Sequence, residues 1–105
     1  MFTVLKKFLL LSPIYKYKIQ GNSMEPTIAA GETILVNRMA YWFRDPKKNE
    51  IIALYDPRDD KILVKKITKK SGTSFFVQGD NKKASTDSRV FGMIGKSAII
   101  GKVIL

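Results

Sequence analysis

The chain has 105 residues with no histidine and no cysteine, which excludes disulfides, ordinary zinc sites and every mechanism that relies on an imidazole base. Its net charge of +10, from 19 Lys+Arg against 9 Asp+Glu, suits an anionic neighbour such as a lipid surface or nucleic acid. With 45% apolar residues it supports one small hydrophobic core rather than a disordered chain.

Residues 1–13 read as a short apolar and basic N-terminal segment. The run from Phe2 to Leu11 is interrupted by Lys6 and Lys7, and it is shorter than the ~20 apolar residues that span a bilayer. It lacks the small-residue cleavage site of a secretory signal. As a helix it would gather Phe2, Leu5, Phe8 and Leu9 on one side, which fits an interfacial anchor and equally a segment packed on the domain. From Ile14 to Gln20, Tyr15, Tyr17 and Ile19 alternate with Lys16, Lys18 and Gln20, the pattern of a half-buried strand. Further strands are expected over 33–38, 50–55, 61–67, 74–78, 90–94 and 98–105. Turns are expected at 56–60 and 69–72, and irregular loops over 22–31 and 79–88. Tyr41-Trp42-Phe43, in the connection 39–49, suits a cap on the core or a membrane-interface belt. Short strands at close spacing predict an all-β, barrel-like coiled antiparallel sheet.

The chemistry-bearing stretch is Gly21-Asn22-Ser23-Met24-Glu25-Pro26-Thr27. A serine nucleophile without histidine needs another base, and lysine is the known alternative. Lys65 lies in the apolar run Ile62-Leu63-Val64-Lys65-Lys66-Ile67. In water a lysine of pKa ~10.4 is a poor base at neutral pH, and burial lowers that value. Strand alternation puts Lys66 on the opposite face, where it is expected to be solvated. Taken alone, Ser23 reads equally as a turn serine and Lys65 as a surface lysine. A third segment runs from Gly79 to Arg89 as Gly-Asp-Asn-Lys-Lys-Ala-Ser-Thr-Asp-Ser-Arg. Its oxygens are too few and too scattered for a hard-cation site.

In this order the three segments resemble the boxes of the type I signal peptidase (leader peptidase) family, over residues 17 to 105. Phe91-Gly92 and Ile100-Gly101-Lys102-Val103 are similar to the family's tail. The resemblance implies a signal peptidase/LexA-like fold over residues 14–105 and a serine endopeptidase that removes leader segments without a cofactor or metal. It implies Ser23 as nucleophile, Lys65 as general base and Ser85 as the hydroxyl that orients the lysine amine. Asp87 and Arg89 would form a supporting salt bridge, and Asp80 and Asn81 would hold their loop. Gly21, Asn22 and Met24 would border the substrate. The oxyanion would meet the Ser23 N–H and a second donor that is not a side chain at Gly21. The implied partners are precursor polypeptides with small residues before the cleaved bond, at an anionic membrane surface. A cytoplasmic location is the alternative.

The chain departs from larger members, since only residues 66–78 separate the lysine box from the Gly-Asp-Asn box. That compactness is shared by relatives that trim the leader of a nickel superoxide dismutase. A LexA-like self-cleaving regulator fits less well, because the 22 residues before Ser23 hold no Ala-Gly pair. A basic β-barrel that binds without catalysis, nucleic acid included, fits less well too, because the lysines are scattered and no base-stacking motif appears.

Overall fold

The computed structural model describes residues 14–81, 83 and 86–104. Residues 1–13, with their proposed anchor, and Ser85 lie outside that set. The strands are β1 (Ile14–Lys18), β2 (Thr33–Asn37), β3 (Ile51–Tyr55), β4 (Ile62–Ser71), β5 (Ser74–Gln78), β6 (Ile94–Gly95) and β7 (Ile99–Ile104). They form one antiparallel sheet in the order β1-β2-β7-β3-β4-β5-β6. A short helix, α1 (Ser88–Phe91), and a 3-10 turn (Lys96–Ala98) precede β6 and β7 respectively.

The sheet curls on itself. Three strands separate β1 from β4 in the sheet order, yet the Tyr17 hydroxyl donates to the Ile62 carbonyl at 3.2 Å. An all-β half-barrel results. Its concave side packs Ile19, Met24, Ile28, Ile34, Val36, Ala53, Val64 and Val103. A second cluster, on the other side, gathers Tyr41, Ile52, Leu54, Ile67, Phe75, Val77 and Ile94. β3 serves both clusters: Ile51 and Ala53 face one, Ile52 and Leu54 the other. A strand buried on both faces loses the apolar–polar alternation that a half-buried strand keeps. Each fully buried large apolar side chain contributes ~1.5–3 kcal/mol, so these two clusters carry the fold.

Gly101 on β7 explains why a glycine stands in the C-terminal tail. A Cβ there would meet the Asn37 carbonyl oxygen at 2.4 Å, so only glycine lets the backbone at the end of β2 approach β7 this closely.

Three expectations are corrected. β4 continues through Thr68, Lys69 and Lys70 after an irregularity between Ile67 and Lys69, and the turn falls at Gly72–Thr73 rather than 69–72. The expected strand 90–94 is α1 followed by the two-residue β6. There the Asp87 side chain accepts the Arg89 N–H and caps a helical turn, which overrides the β preference of Val90. The expected strand 98–105 begins only at Ile99, after the 3-10 turn.

Candidate active site

Ser23 follows β1 in a turn that Gly21 opens with φ +77, a left-handed conformation that favours glycine. The Glu25 N–H donates to the Asn22 carbonyl at 3.2 Å and the Ile28 N–H to the Met24 carbonyl at 2.9 Å. Met24 anchors this loop from below: it is 1% exposed within the concave cluster. Because β1 meets β4 across the curl, the loop lies against the middle of β4. Ser23, Met24 and Lys65 line one cleft of about 40 Å³, together with Tyr17, Ile19, Gln20 and the β4 residues Ile62 to Val64. A wider hollow of about 460 Å³ shares Tyr17, Gln20, Ile62 and Leu63 with it and adds Lys61.

Lys65 pairs with Ile52 in the β3–β4 ladder and is 2% exposed. Burial pushes its ammonium below the ordinary lysine range. The Asp87 carboxylate opposes that shift, Arg89 reinforces it and Asp56 opposes it more weakly. Desolvation wins because both carboxylates are already committed to arginines. Asp87 is 0% exposed, takes Arg89 Nη2 at 2.7 Å and Nε at 2.9 Å, and accepts the Gly79 N–H at 3.0 Å. Asp56 takes Arg58 Nη2 at 2.8 Å. Ser88 adds a further strut, its hydroxyl accepting the Val77 N–H at 2.8 Å.

The loop after β5 holds the serine loop from the far side. The Asn81 N–H donates to the Ser23 carbonyl at 2.8 Å, and its side-chain amide donates to the Asn22 carbonyl at 3.1 Å. The Thr27 hydroxyl donates to Asp80 Oδ2. Asp80 Oδ1 in turn receives Lys66 Nζ at 3.2 Å. The expectation of a solvated Lys66 is therefore corrected. The register that pairs Lys66 with Gln78 sets it two residues from Asp80, and its side chain is only 32% exposed. A partly exposed pair of this kind contributes ~0–1 kcal/mol, so its consequence is positional. Thr27 and Lys66 are site residues that the sequence reading missed. Their signal was present, since each sits inside a box that was singled out.

Gly21 and Asn22 are exposed and, unlike Met24, are not among the residues that line the cleft. Among the described residues no group of three or more metal-ligating acids occurs, and no helix is long and apolar enough to cross a membrane.

A curled antiparallel half-barrel with a serine loop against a buried strand lysine defines a class of small all-β scaffold. Comparison with known proteins narrows this. The family model described as signal peptidase, peptidase S26, matches residues 1–74 and 68–105. The chain belongs to that family. It is similar to the mitochondrial ATP-independent inner membrane protease subunit 1a of Arabidopsis thaliana, at 31% identity over 83% of the chain and 66% of that protein. It is also similar to signal peptidase I of Aquifex aeolicus, at 35% identity over 63% of the chain and 27% of the relative. Signal peptidase I V of Bacillus subtilis matches at 35% identity over 49% of the chain and 30% of the relative. The aligned region thus spans between about a quarter and two thirds of these relatives' lengths.

Proposed function

We propose that the chain is a serine endopeptidase that removes N-terminal leader segments from precursor proteins, with Ser23 as nucleophile and Lys65 as general base. The observation that carries this reading is that Lys65, 2% exposed and with its ammonium disfavoured by burial, lines the same cleft as Ser23. Burial favours the neutral amine, the form that accepts the serine proton. Ser23 Oγ then attacks the scissile carbonyl, and the oxyanion meets preorganised donors, among them the Ser23 N–H. The lysine returns its proton to the departing amine. Water, deprotonated by the same amine, releases the acyl group from Ser23.

Ser85 orients the lysine amine in this scheme. Asp87 with Arg89 supports the strand behind it, and Asp80 and Asn81 fix the serine loop. The small cleft suits a small side chain before the cleaved bond, and the adjoining hollow suits the next residues of an extended substrate that pairs as an added strand. Attachment to an anionic membrane through residues 2–11 belongs to the same reading, and the name of the Arabidopsis relative, an inner membrane protease, supports it.

The test is mass spectrometry of products from a cell-derived precursor pool, with a Ser23→Ala control. New N-termini that follow small residues at the first and third positions are expected. Termini after large or charged residues refute the substrate class. A single dominant product from a non-secretory precursor favours a dedicated maturase. No Ser23-dependent product refutes the peptidase reading and leaves a binding module.

A further inference from the structure

The connection between β2 and β3 divides its three aromatic residues unequally. Tyr41 is buried in the second cluster. Trp42 and Phe43 point outward, 65% and 89% exposed, with Met39 beside them at 37%. Loop collapse does not explain this exposure, because Glu50 braces the loop. Its carboxylate accepts the Tyr41 hydroxyl at 3.2 Å, Arg44 at 3.1 and 2.6 Å and the Lys47 N–H at 2.8 Å. These donors hold Glu50 well below the usual carboxylate range, at about 2, with the Arg44 hydrogen bond the largest cause. The Trp42 N–H closes a turn onto the Met39 carbonyl at 3.1 Å. Two large rings are thus held in water on a supported tip.

Cations surround that tip. Residues 38 to 50 contain Arg38, Arg44, Lys47 and Lys48 against two acids, Asp45 and Glu50, and Glu50 is taken up by Arg44. Asp45 is itself engaged by Lys96 at 3.1 Å and Lys70 at 3.6 Å. A shallow hollow of about 190 Å³ beside Trp42 is walled by Arg38 and Lys96 over Ile99 and Ile100. The same end of the sheet receives the chain at Ile14, whose partner in β2 is Asn37, one residue before Arg38. The basic N-terminal sequence therefore joins the fold next to this loop.

We infer that the Trp42–Phe43 tip is a membrane-docking element that inserts into the interface of an anionic lipid bilayer, with the surrounding lysines and arginines on the headgroup phosphates. A projecting pair of rings is a poor match to a flat protein face and a good match to a bilayer interface, where amphipathic and aromatic rings partition. The cationic rim matches the negative surface potential of such a bilayer. This inference concerns a surface apart from the cleft and does not rest on the peptidase reading.

Trp42 is the chain's single tryptophan, so its emission reports the tip directly. The full chain is titrated with vesicles of phosphatidylcholine alone and of phosphatidylcholine with phosphatidylglycerol, at low and high salt. On the anionic vesicles a blue shift of Trp42 emission and quenching by brominated acyl chains are expected, with loss of both at high salt. Phe43→Ser is expected to weaken partitioning about tenfold, and Lys47→Glu with Lys48→Glu by a similar factor of about ten. Both variants keep their melting temperature. Vesicle binding with unshifted Trp42 emission overturns the inference, because another segment then makes the contact. An equal shift on neutral vesicles overturns the role of the rim. A blue shift that grows with protein concentration in the absence of lipid also overturns it, and makes the tip a self-association surface.

Discussion

The serine loop and the aromatic loop are both irregular connections, but they are held in different ways. The aromatic loop is held largely from within: Tyr41, Arg44 and Lys47 converge on Glu50, all within ten residues of one another, while Asp45 also reaches the distant Lys96 and Lys70. The serine loop is held from a distance, by Asn81 on the carbonyls of Asn22 and Ser23 and by Asp80 on Thr27. Local bracing forms as soon as its own stretch folds. Remote bracing exists only once the sheet has closed, so the serine loop takes its shape only in the completed fold.

Chemistry separates the two loops most sharply. Ser23→Ala and Lys65→Met each lower hydrolysis of a soluble peptide by roughly a thousandfold or more, because members of one catalytic unit fail together. Phe43→Ser leaves that rate unchanged. Lys65→Met also raises the melting temperature at neutral pH, since it removes a buried amine that burial disfavours in its charged form. A Lys65→Met variant with near-wild-type turnover refutes the base assignment.

The aromatic loop is expected to show the larger stability effect. Glu50→Ala strips the acceptor from Tyr41 and Arg44 and costs about 1–3 kcal/mol, visible as a drop in the denaturant midpoint. Glu50 also gives the fold a pH signature. Its folded pKa of about 2 lies below the ordinary glutamate value of 4.5, so its contribution is complete above the unfolded value and is lost as pH falls through the folded one. Acid titration of wild type against Glu50→Gln should diverge above that interval and converge below it.

The cleft depends on pH in the same sense, through activity rather than stability. The folded pKa of Lys65 lies below its unfolded value, and in the proposed mechanism the neutral amine is the base. Turnover therefore falls about tenfold per pH unit below the apparent pKa. A rate that stays flat from neutral to acidic pH excludes a lysine base.

The smallest effect expected is on the remote brace. Asn81→Ala lowers kcat by about tenfold with little change in melting temperature, as loss of positioning does. If it unfolds the protein instead, the two loops do not differ as described.

The sequence showed the elements that rest on local pattern and missed those that rest on register. Ile14 to Lys18 appeared as a strand because it alternates within its own span, and Thr33 to Asn37 and Ser74 to Gln78 because β-branched and aromatic residues fill them. The continuation of β4 through Lys69 and Lys70 was hidden, since a lysine pair before a glycine looks like a turn until β5 is there to pair with it. Val90 was misread because an N-cap at Asp87 outweighs one β-branched residue. The three boxes brought Ser23, Lys65, Asp80 and Asn81 to notice. The Lys66–Asp80 contact was not legible because it depends on which side chains the sheet sets opposite each other, and the Glu50 hub because it depends on how the loop folds back on itself.

The curl that joins Tyr17 to Ile62 has a consequence for specificity. One wall of the cleft belongs to β1 and the other to β4, and the route between them through the sheet passes along β2, β7 and β3. The gap between the walls is therefore measured out by the bend of three intervening strands, like the mouth of a calliper set by its spring. Gly101 and the irregularity in β3 at Ala53 and Leu54 lie on that bend. Substrate choice in this scaffold can be retuned from there, by residues that never touch a substrate.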